Sequence, residues 1–227
     1  MNKIKKDKPL EDYSEYEFIE SPLVEITNDL GIIIDLKYIK MGFINVINKA
    51  YVRKEVLDKL LIAKSYLPKG ITFKIWDSYR TFALQEELYK QYKNDIINTF
   101  NLETLNVLEQ NRIISNYVSI PKKDEFNPPL HTTGGAIDLT LVKEDTLEEL
   151  NMGTDFDSFS EKAKTAAYEE ENMDKEIRNN RRILYNAMTS AGFTNLPSEW
   201  WHYDYGDRAW AFYKTKKALY KGMFKLE

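Results

Sequence analysis

The sequence predicts a single domain that combines helices with short strands, because two hydrophobic periods alternate along its 227 residues. Apolar and polar residues alternate over residues 71–75 and 137–141, which is the strand pattern. Apolar residues recur at helical spacing over residues 53–67. No stretch rich in proline, glycine and serine divides the chain, and its length suffices for one substantial core. We therefore expect one domain over residues 1–227.

Residues 1–20 are highly charged, and we expect an extended or mobile segment with Tyr13, Tyr16 and Phe18 as candidate anchors. The chain starts with a basic stretch, but acidic residues follow where a secretory signal would be apolar. The longest apolar run, near residues 31–34, is too short to span a bilayer. These features predict a cytoplasmic protein without a membrane span.

The remaining elements follow from the same two periods and from residues that begin or end helices. Pro68 and Gly70 end the first long helix, Thr81 is a favourable N-cap for the next, and Gly192 closes a later one. Helices are predicted over residues 53–67, 82–100, 102–117, 177–191 and 207–227. Strands are predicted over residues 32–36, 71–75, 137–141 and 193–200. The last of these strands would present Glu199.

The composition excludes several kinds of function. Hydrophobic residues make up 43% and charged residues 30%, and the net charge of −4 gives no basic surface, so no nucleic-acid partner is expected. Nothing in the sequence indicates a protein partner. The chain has no cysteine, which excludes disulfides and thiolate metal sites. Any bound metal must therefore be held by histidine and carboxylate groups.

Only two histidines occur in the chain, and both lie in unusual segments. His131 precedes a pair of glycines, and Asp138 follows on the polar face of the strand at 137–141. The glycines allow a tight reversal, so His131 can fold back beside Asp138. With His202 they make a zinc-ligand set of the catalytic kind, which has three protein ligands and one open position. Taken alone, His131 could be a solvated loop histidine, and Asp138 could be a turn-capping aspartate.

Glu199 lies three residues before His202 and meets a second requirement of a hydrolytic zinc site. Such a site needs a carboxylate that is not a ligand, to take a proton from the attacking water. The helical His-Glu-x-x-His arrangement is absent from the sequence, so the expected site is of another kind.

The segments from His131 to Asp138 and from Glu199 to His202 resemble those of the zinc D-alanyl-D-alanine dipeptidases of the vancomycin-resistance type, in the superfamily of D-Ala-D-Ala carboxypeptidases and dipeptidases. Residues 76–80 and 152–157 add two more motifs in the same order. The resemblance implies an α+β fold of the Hedgehog and D,D-peptidase kind, with helices packed around a small antiparallel sheet that carries the site. It also implies one zinc ion per chain, with Glu199 as general base and three ligands: His131, Asp138 and His202.

The resemblance further implies the roles of three residues around the substrate. Arg80 would stabilise the oxyanion, Asp157 would receive the substrate ammonium, and Tyr38 would line the pocket. Each has an alternative that the sequence leaves open: an ion-paired or surface arginine, a helix N-cap, and a packed core tyrosine. The implied partner is D-alanyl-D-alanine or a similar small D,D-dipeptide with a free amino terminus.

Two positions and one segment depart from the pattern of the family. Pro129 stands where many relatives have serine, Thr81 stands where many have proline, and residues 41–45 match only loosely. Thr81 should preserve the turn, but Pro129 and residues 41–45 leave open a cell-wall D,D-carboxypeptidase or L,D-endopeptidase that acts on longer peptides. A non-catalytic zinc-binding module is another alternative. Glu199 and Arg80 argue against it, because a structural zinc ion needs neither residue.

Overall fold

The computed structural model describes residues 1–115 and 117–224. Its strands are β1 (Leu23–Ile26), β2 (Ile33–Ile34), β3 (Ala50–Arg53), β4 (Ile71–Asp77), β5 (Ala136–Lys143), β6 (Thr194–Asn195) and β7 (His202–Asp204). Its α-helices are α1 (Lys37–Lys40), α2 (Lys54–Ser65), α3 (Phe82–Phe100), α4 (Val107–Ile114), α5 (Lys175–Ser190) and α6 (Arg208–Lys214). Short 3-10 helices cover Asn28–Leu30, Leu130–Thr133 and Glu161–Ala163. Of the helices in the described residues, none is long and apolar enough to cross a membrane.

Five strands form the main sheet, in the order β2-β4-β5-β7-β6. β2 runs parallel to β4, whereas the other neighbouring pairs of this sheet are antiparallel. β1 and β3 form a separate antiparallel pair. Because helices pack on a small and mostly antiparallel sheet, the predicted α+β fold is confirmed. The one difference is the parallel edge strand β2.

The apolar face of β5 lies at the centre of the hydrophobic core. Ile137, Leu139 and Leu141 are fully buried and share one core cluster with Phe73 and Ile75 of β4. Further members of this cluster come from α2 and α5, namely Val56, Leu60, Ala63, Leu184, Ala187 and Met188. Burial of one large aliphatic side chain contributes about 1.5–3 kcal/mol, so this face holds β5 firmly in place.

The opposite face of β5 carries polar side chains, and it is buried as well. Asp138 is only 2% exposed. Its direct neighbour on β7 is His202, and its direct neighbour on β4 is Asp77. The register between β4 and β5 shifts between Ile75 and Asp77, as at a β-bulge. Three adjacent strands therefore place polar side chains side by side at one end of the sheet.

The helix caps follow the local sequence. Thr81 accepts a hydrogen bond from the amide of Leu84, so the predicted N-cap of α3 is confirmed. α3 ends at Asn101, whose φ of 54° stops the helix. Asp174 caps α5 by accepting hydrogen bonds from two amides of the first turn. These caps fix both ends of α3 and the start of α5.

Several predicted elements are shorter than their sequence patterns indicate. α4 covers only Val107–Ile114 of the helix predicted over 102–117, because Asn106 caps it at a later start; residue 116 lies outside the described residues. Only Ile33–Ile34 of the strand predicted over 32–36 pairs with β4. The strand predicted over 193–200 is limited to β6. Glu199 instead lies in the turn before β7, where its amide donates to the carbonyl of Leu196.

The helix predicted over residues 207–227 is limited to α6, Arg208–Lys214. Thr215 has a φ of 52°, which ends the helix. The chain then runs extended beside the N-terminal segment, with a parallel bridge between Tyr16 and Ala218. Ala218 is fully buried by this pairing, which helical continuation would forfeit. Residues 225–227 lie outside the described residues.

Residues 1–20 lie extended along the body of the protein. Ile4 is buried, and the hydroxyl groups of Tyr13 and Tyr16 donate hydrogen bonds to backbone carbonyls of residues 216 and 126. Phe18, the third candidate anchor, is 38% exposed and packs against the ring of Tyr16.

Candidate active site

Three side chains that could hold a metal ion meet on the polar face of β5. His131 comes from the 3-10 helix Leu130–Thr133, Asp138 from β5 and His202 from β7, and one ligand atom of each lies within 4.8 Å of the others. His131 Nε2 is 3.2 Å from His202 Nδ1 and 3.3 Å from Asp138 Oδ2. His202 Nδ1 is 3.0 Å from Asp138 Oδ1. The structure thus brings together the three predicted ligands, and all three are buried.

A tight turn after His131 directs the chain back into β5. Gly134 has a φ of 74°, and its amide donates to the carbonyl of His131. A Cβ atom on Gly135 would lie 2.7 Å from the carbonyl oxygen of Tyr205, so a side chain does not fit there. The two glycines therefore permit the reversal and the close approach that place His131 beside β5.

The ring orientation of each histidine is fixed by a hydrogen bond on its far side. His131 Nδ1 donates to the carbonyl of Ser78 at 2.8 Å, and His202 Nε2 donates to Asp204 Oδ1 at 2.8 Å. These partners accept only, so they select the tautomers that leave His131 Nε2 and His202 Nδ1 as acceptors. Both nitrogens then face Asp138, which is also an acceptor. Such hydrogen bonds are typical of histidines that bind metals.

Three buried acceptors that face one another attract positive charge. Burial lowers the pKa of His202, but the charges of Asp204 and Asp138 and hydrogen bonds to both raise it well above its usual value. Burial raises the pKa of Asp138, yet His131 and His202 together hold it below its usual range. A divalent cation would satisfy the same three atoms. Two imidazoles with one carboxylate and no thiolate fit a metal site with an open position.

The carboxyl group of Glu199 lies beside this group. Its Oε2 atom is 3.9 Å from His202 Nδ1, and its side chain is 22% exposed. Burial raises the pKa of Glu199 to about 8, and the negative charges of Asp138 and Asp157 add to this increase. A carboxyl group with a pKa near neutrality can both accept and release a proton, which is what general acid–base chemistry requires.

Arg80 follows β4, and hydrogen bonds from all three of its side-chain nitrogens hold the guanidinium in place. Its Nε and Nη2 atoms donate to Asp77 Oδ2 at 3.0 and 2.7 Å, and Nη1 donates to Gln85 Oε1 at 2.8 Å. Nη2 also donates to the hydroxyl of Tyr38 at 3.1 Å. Asp77 Oδ2 is 3.4 Å from His131 Nδ1, which joins the ion pair to the candidate ligands. Arg80 is thus ion-paired within the site, and among the described residues one N–H of Nη1 keeps no partner.

Asp157 joins this group of residues through Tyr38 and also accepts a hydrogen bond from Tyr92. Its Oδ2 atom accepts hydrogen bonds from Tyr38 at 2.8 Å and from Tyr92 at 2.7 Å. Its φ of 55° is uncommon for a residue other than glycine, although aspartate tolerates it. Asp157 caps no helix, since Ser160 is the N-cap of the 3-10 helix that follows. Tyr38 is at once a buried residue of the core and the link between Arg80 and Asp157.

Aromatic rings line one side of this network. Phe156 packs against Tyr38 and Trp76 with ring centroids 5.4 Å apart in each case, and against Trp201 at 5.8 Å. Trp76 in turn packs against Trp200 at 5.6 Å. Trp76, Trp200 and Trp201 are buried, so they place apolar surface beside the polar network.

A family model described as Peptidase_M15, D-ala-D-ala dipeptidase, matches residues 22–220. The chain belongs to this family. The match confirms the resemblance that the motifs show, and its bounds include each of the site residues described above.

Individual members of the D-ala-D-ala dipeptidase family are similar over most of the chain. A D-alanyl-D-alanine dipeptidase of Synechocystis sp. is 30% identical, and the match covers 69% of this chain and 68% of that protein. A D-alanyl-D-alanine dipeptidase of Enterococcus faecium is also 30% identical, over 69% of this chain and 74% of that protein. The solved structure of VanYB in complex with D-Alanine-D-Alanine has a TM-score of 0.42 and 13% identity, over 77% of this chain and 84% of that one.

The four motifs of this family member converge in space. The network described above contains all seven predicted site residues, namely Tyr38, Arg80, His131, Asp138, Asp157, Glu199 and His202. It also contains four residues to which the sequence analysis assigned no role, namely Asp77, Gln85, Tyr92 and Asp204.

Two of these four residues had a recognisable signal in the sequence. Asp77 lies within the motif at 76–80. Asp204 lies two residues after His202, so the strand period places Asp204 and His202 on the same face of the strand. Gln85 and Tyr92 had none, because their spacing on α3 matches that of its apolar core residues.

Proposed function

We propose that this protein is a zinc-dependent dipeptidase that hydrolyses D-alanyl-D-alanine or a similar small D,D-dipeptide with a free amino terminus. One observation carries the proposal: two histidines and one aspartate converge in a buried group with a protonatable carboxyl group, that of Glu199, beside it. The names of its relatives in Synechocystis sp. and Enterococcus faecium support the same substrate.

His131, Asp138 and His202 would hold one zinc ion per chain. The two ring nitrogens and the carboxylate face one another, and the far side of each ring is already hydrogen-bonded. Bound there, zinc would polarise the scissile carbonyl and lower the pKa of a bound water to about 7. Asp77 and Asp204 would keep the rings in place, because each carboxylate lies on the far side of one of them.

Glu199 would act as the general base and then as the general acid. Its carboxylate takes a proton from the attacking water and delivers it to the nitrogen of the leaving amino acid, whose bond to the carbonyl carbon breaks. Its raised pKa supports this role, because the group is poised to hold the proton between the two steps. Its position outside the ligand group leaves the carboxylate free to move that proton.

Arg80 would stabilise the oxyanion that forms on the substrate carbonyl oxygen. The guanidinium is fixed by Asp77 and Gln85, so it needs little reorganisation during the reaction. Its free N–H on Nη1 is the available donor. A preorganised donor of this kind contributes about 3 kcal/mol to transition-state stabilisation.

Asp157 and Tyr38 would bind the amino end of the substrate. The carboxylate of Asp157 offers an acceptor to an ammonium group, and the hydroxyl of Tyr38 links that carboxylate to Arg80. An acylated amino terminus carries no charge and is larger, so this arrangement favours free dipeptides over longer peptides.

The roles of Asp138 and Glu199 separate in a pair of variants. We expect Asp138→Ala to lose zinc, because the metal loses its only carboxylate ligand. We expect Glu199→Ala to keep zinc but to lose about 10²- to 10⁴-fold in kcat, as a missing general base would cause. The exposed Glu171 provides a control, since Glu171→Ala should change neither property. Zinc content by atomic absorption and steady-state kinetics measure both effects.

Two results would overturn the assignment. If Glu199→Ala loses zinc while Asp138→Ala retains it, the two roles are reversed. If the purified protein, supplied with zinc, binds none in stoichiometric amount, the metal mechanism itself fails.

The substrate is tested with D-Ala-D-Ala, L-Ala-L-Ala and N-acetyl-D-Ala-D-Ala. We expect the free D,D-dipeptide to have the highest kcat/KM. A preference for the acetylated compound would instead indicate a carboxypeptidase or endopeptidase. Zinc uptake without hydrolysis of any of them would indicate a zinc-binding module.

A further inference from the structure

Tyr92 contacts the candidate site from a distant part of the chain. It lies in α3, 65 residues before Asp157, and its hydroxyl donates a 2.7 Å hydrogen bond to Asp157 Oδ2. Tyr38 donates a 2.8 Å hydrogen bond to the same oxygen atom. These two donors use both lone pairs of Oδ2, and they come from two different helices, α1 and α3.

The two hydrogen bonds leave the other oxygen of Asp157 available. Among the described residues, no hydrogen bond reaches Asp157 Oδ1. Two donors that reach Oδ2 from different helices restrict the rotation of the carboxylate, and with it the direction of Oδ1. An ammonium group that approaches Asp157 therefore meets one oriented acceptor with a negative charge.

Tyr92 itself is held rigidly. Its ring packs edge-on against Phe43 at 6.2 Å and against Phe159 at 5.3 Å, and it is 7% exposed. It projects from the 19-residue helix α3. Asp157, in contrast, lies on an irregular loop with a φ of 55°. A hydroxyl on a rigid helix thus orients a carboxylate on a loop.

We propose that Tyr92 is a positioning residue that determines specificity for a free amino terminus, by holding Asp157 so that Oδ1 faces the substrate ammonium. The inference rests on the proposed function, since it assigns the origin of its selectivity. Tyr92 does not touch the reacting atoms, and it acts only through Asp157. Its loss should therefore affect recognition of the amino terminus rather than the chemical step.

Tyr92→Phe removes the hydroxyl and keeps the ring. We expect KM for D-Ala-D-Ala to rise about tenfold, which is the effect of one hydrogen bond to a charged group, with kcat changed by less than about twofold. We expect kcat/KM for N-acetyl-D-Ala-D-Ala to stay unchanged, so that the selectivity for the free dipeptide falls about tenfold. Tyr89→Phe is the matched control, because Tyr89 lies one turn earlier on α3 and packs on the same core cluster.

A second measurement separates positioning from general stability. In the Asp157→Asn background, Tyr92→Phe should change KM by less than about twofold, since residues that act as one unit are not additive. A full tenfold increase in that background would overturn the inference. So would equal losses on the free and the acetylated substrate, or a KM of Tyr92→Phe equal to that of Tyr89→Phe.

Failure of the proposed function has a different signature. If the wild-type protein loaded with zinc hydrolyses no free dipeptide, the function fails before any variant is compared, and the role of Tyr92 fails with it. If the wild type is active but Tyr92→Phe keeps its selectivity, only the role of Tyr92 fails.

Discussion

Burial and the nearby charge of Asp138 raise the pKa of Asp157 to about 6, while hydrogen bonds from Tyr92 and Tyr38 favour its charged form. In the role proposed for Asp157, only its charged form would attract the substrate ammonium, so substrate would bind less tightly below this pKa. We therefore expect KM for D-Ala-D-Ala to fall as the pH rises between about 5 and 7. Tyr92→Phe removes one of the hydrogen bonds, so the pKa of Asp157 rises and the fall in KM moves to higher pH. Steady-state kinetics across this pH range measure both effects.

Two variants show whether Asp157 is the group that titrates. Asp157→Asn carries no proton to lose, so its KM should lack the decrease between about pH 5 and pH 7. Tyr89→Phe should keep the wild-type profile, because the structure gives its hydroxyl no contact with Asp157. A decrease that persists unchanged in Asp157→Asn would assign it to another group.

The candidate metal ligands could be found from the sequence because few alternatives existed. Because the chain has no cysteine and only two histidines, the ligands of a metal site could come only from those histidines and from carboxylates. Asp138 followed from strand alternation, since a polar residue opposite a buried apolar face must find polar neighbours. Tyr92 could not be found this way. Its hydroxyl contacts the site while its ring belongs to the core. The hydrophobic periodicity of the sequence indicates the buried ring but gives no information about the hydroxyl.

At the scale of one element, the turn between the 3-10 helix Leu130–Thr133 and β5 determines the position of His131. Gly135→Ala would place a Cβ atom 2.7 Å from the carbonyl oxygen of Tyr205, and the backbone must shift to relieve that clash. We expect zinc affinity to fall at least about tenfold, since support around metal ligands typically contributes that much. Competition with a zinc chelator measures the affinity.

Gly70→Ala is the control for this experiment. Gly70 also lies in a turn, with a φ of 79°, but an added Cβ would meet no atom within 4 Å. This variant therefore introduces backbone strain far from the ligands and should leave zinc affinity unchanged. Wild-type zinc affinity in Gly135→Ala would show that the turn does not set the position of His131.

The same scale shows why some elements could not be predicted. The pattern at 207–227 is apolar enough for a long helix, yet the chain leaves α6 at Thr215 and pairs with the N-terminal segment. That pairing joins positions about 200 residues apart in the sequence, and local periodicity carries no information about it. Glu199 is a milder case, because a turn closed by its own amide replaced the expected strand.

At the scale of the whole molecule, one face of β5 contributes to the hydrophobic core and the other carries the candidate active site. One face carries Ile137, Leu139 and Leu141 in the core with α2 and α5. The other carries Asp138, to which the 3-10 helix Leu130–Thr133 and β7 contribute the two histidines. The core can therefore hold the sheet, while a bound metal ion would join the three segments of the site.

This division predicts how the protein responds to removal of the metal. Chelation leaves three buried acceptors facing one another, so we expect a lower melting temperature that zinc restores. Zinc at about 1,000 times its dissociation constant would contribute about 4 kcal/mol.

Hydrogen exchange should rise in residues 130–135 and 199–204 when the metal is removed, whereas α2 and α5 should stay protected because their core does not include the candidate ligands. Asp138→Ala should melt at one temperature with or without the chelator. Equal loss of protection in α2 and α5 would mean that the core and the site unfold together, contrary to the separation that the two faces of β5 imply.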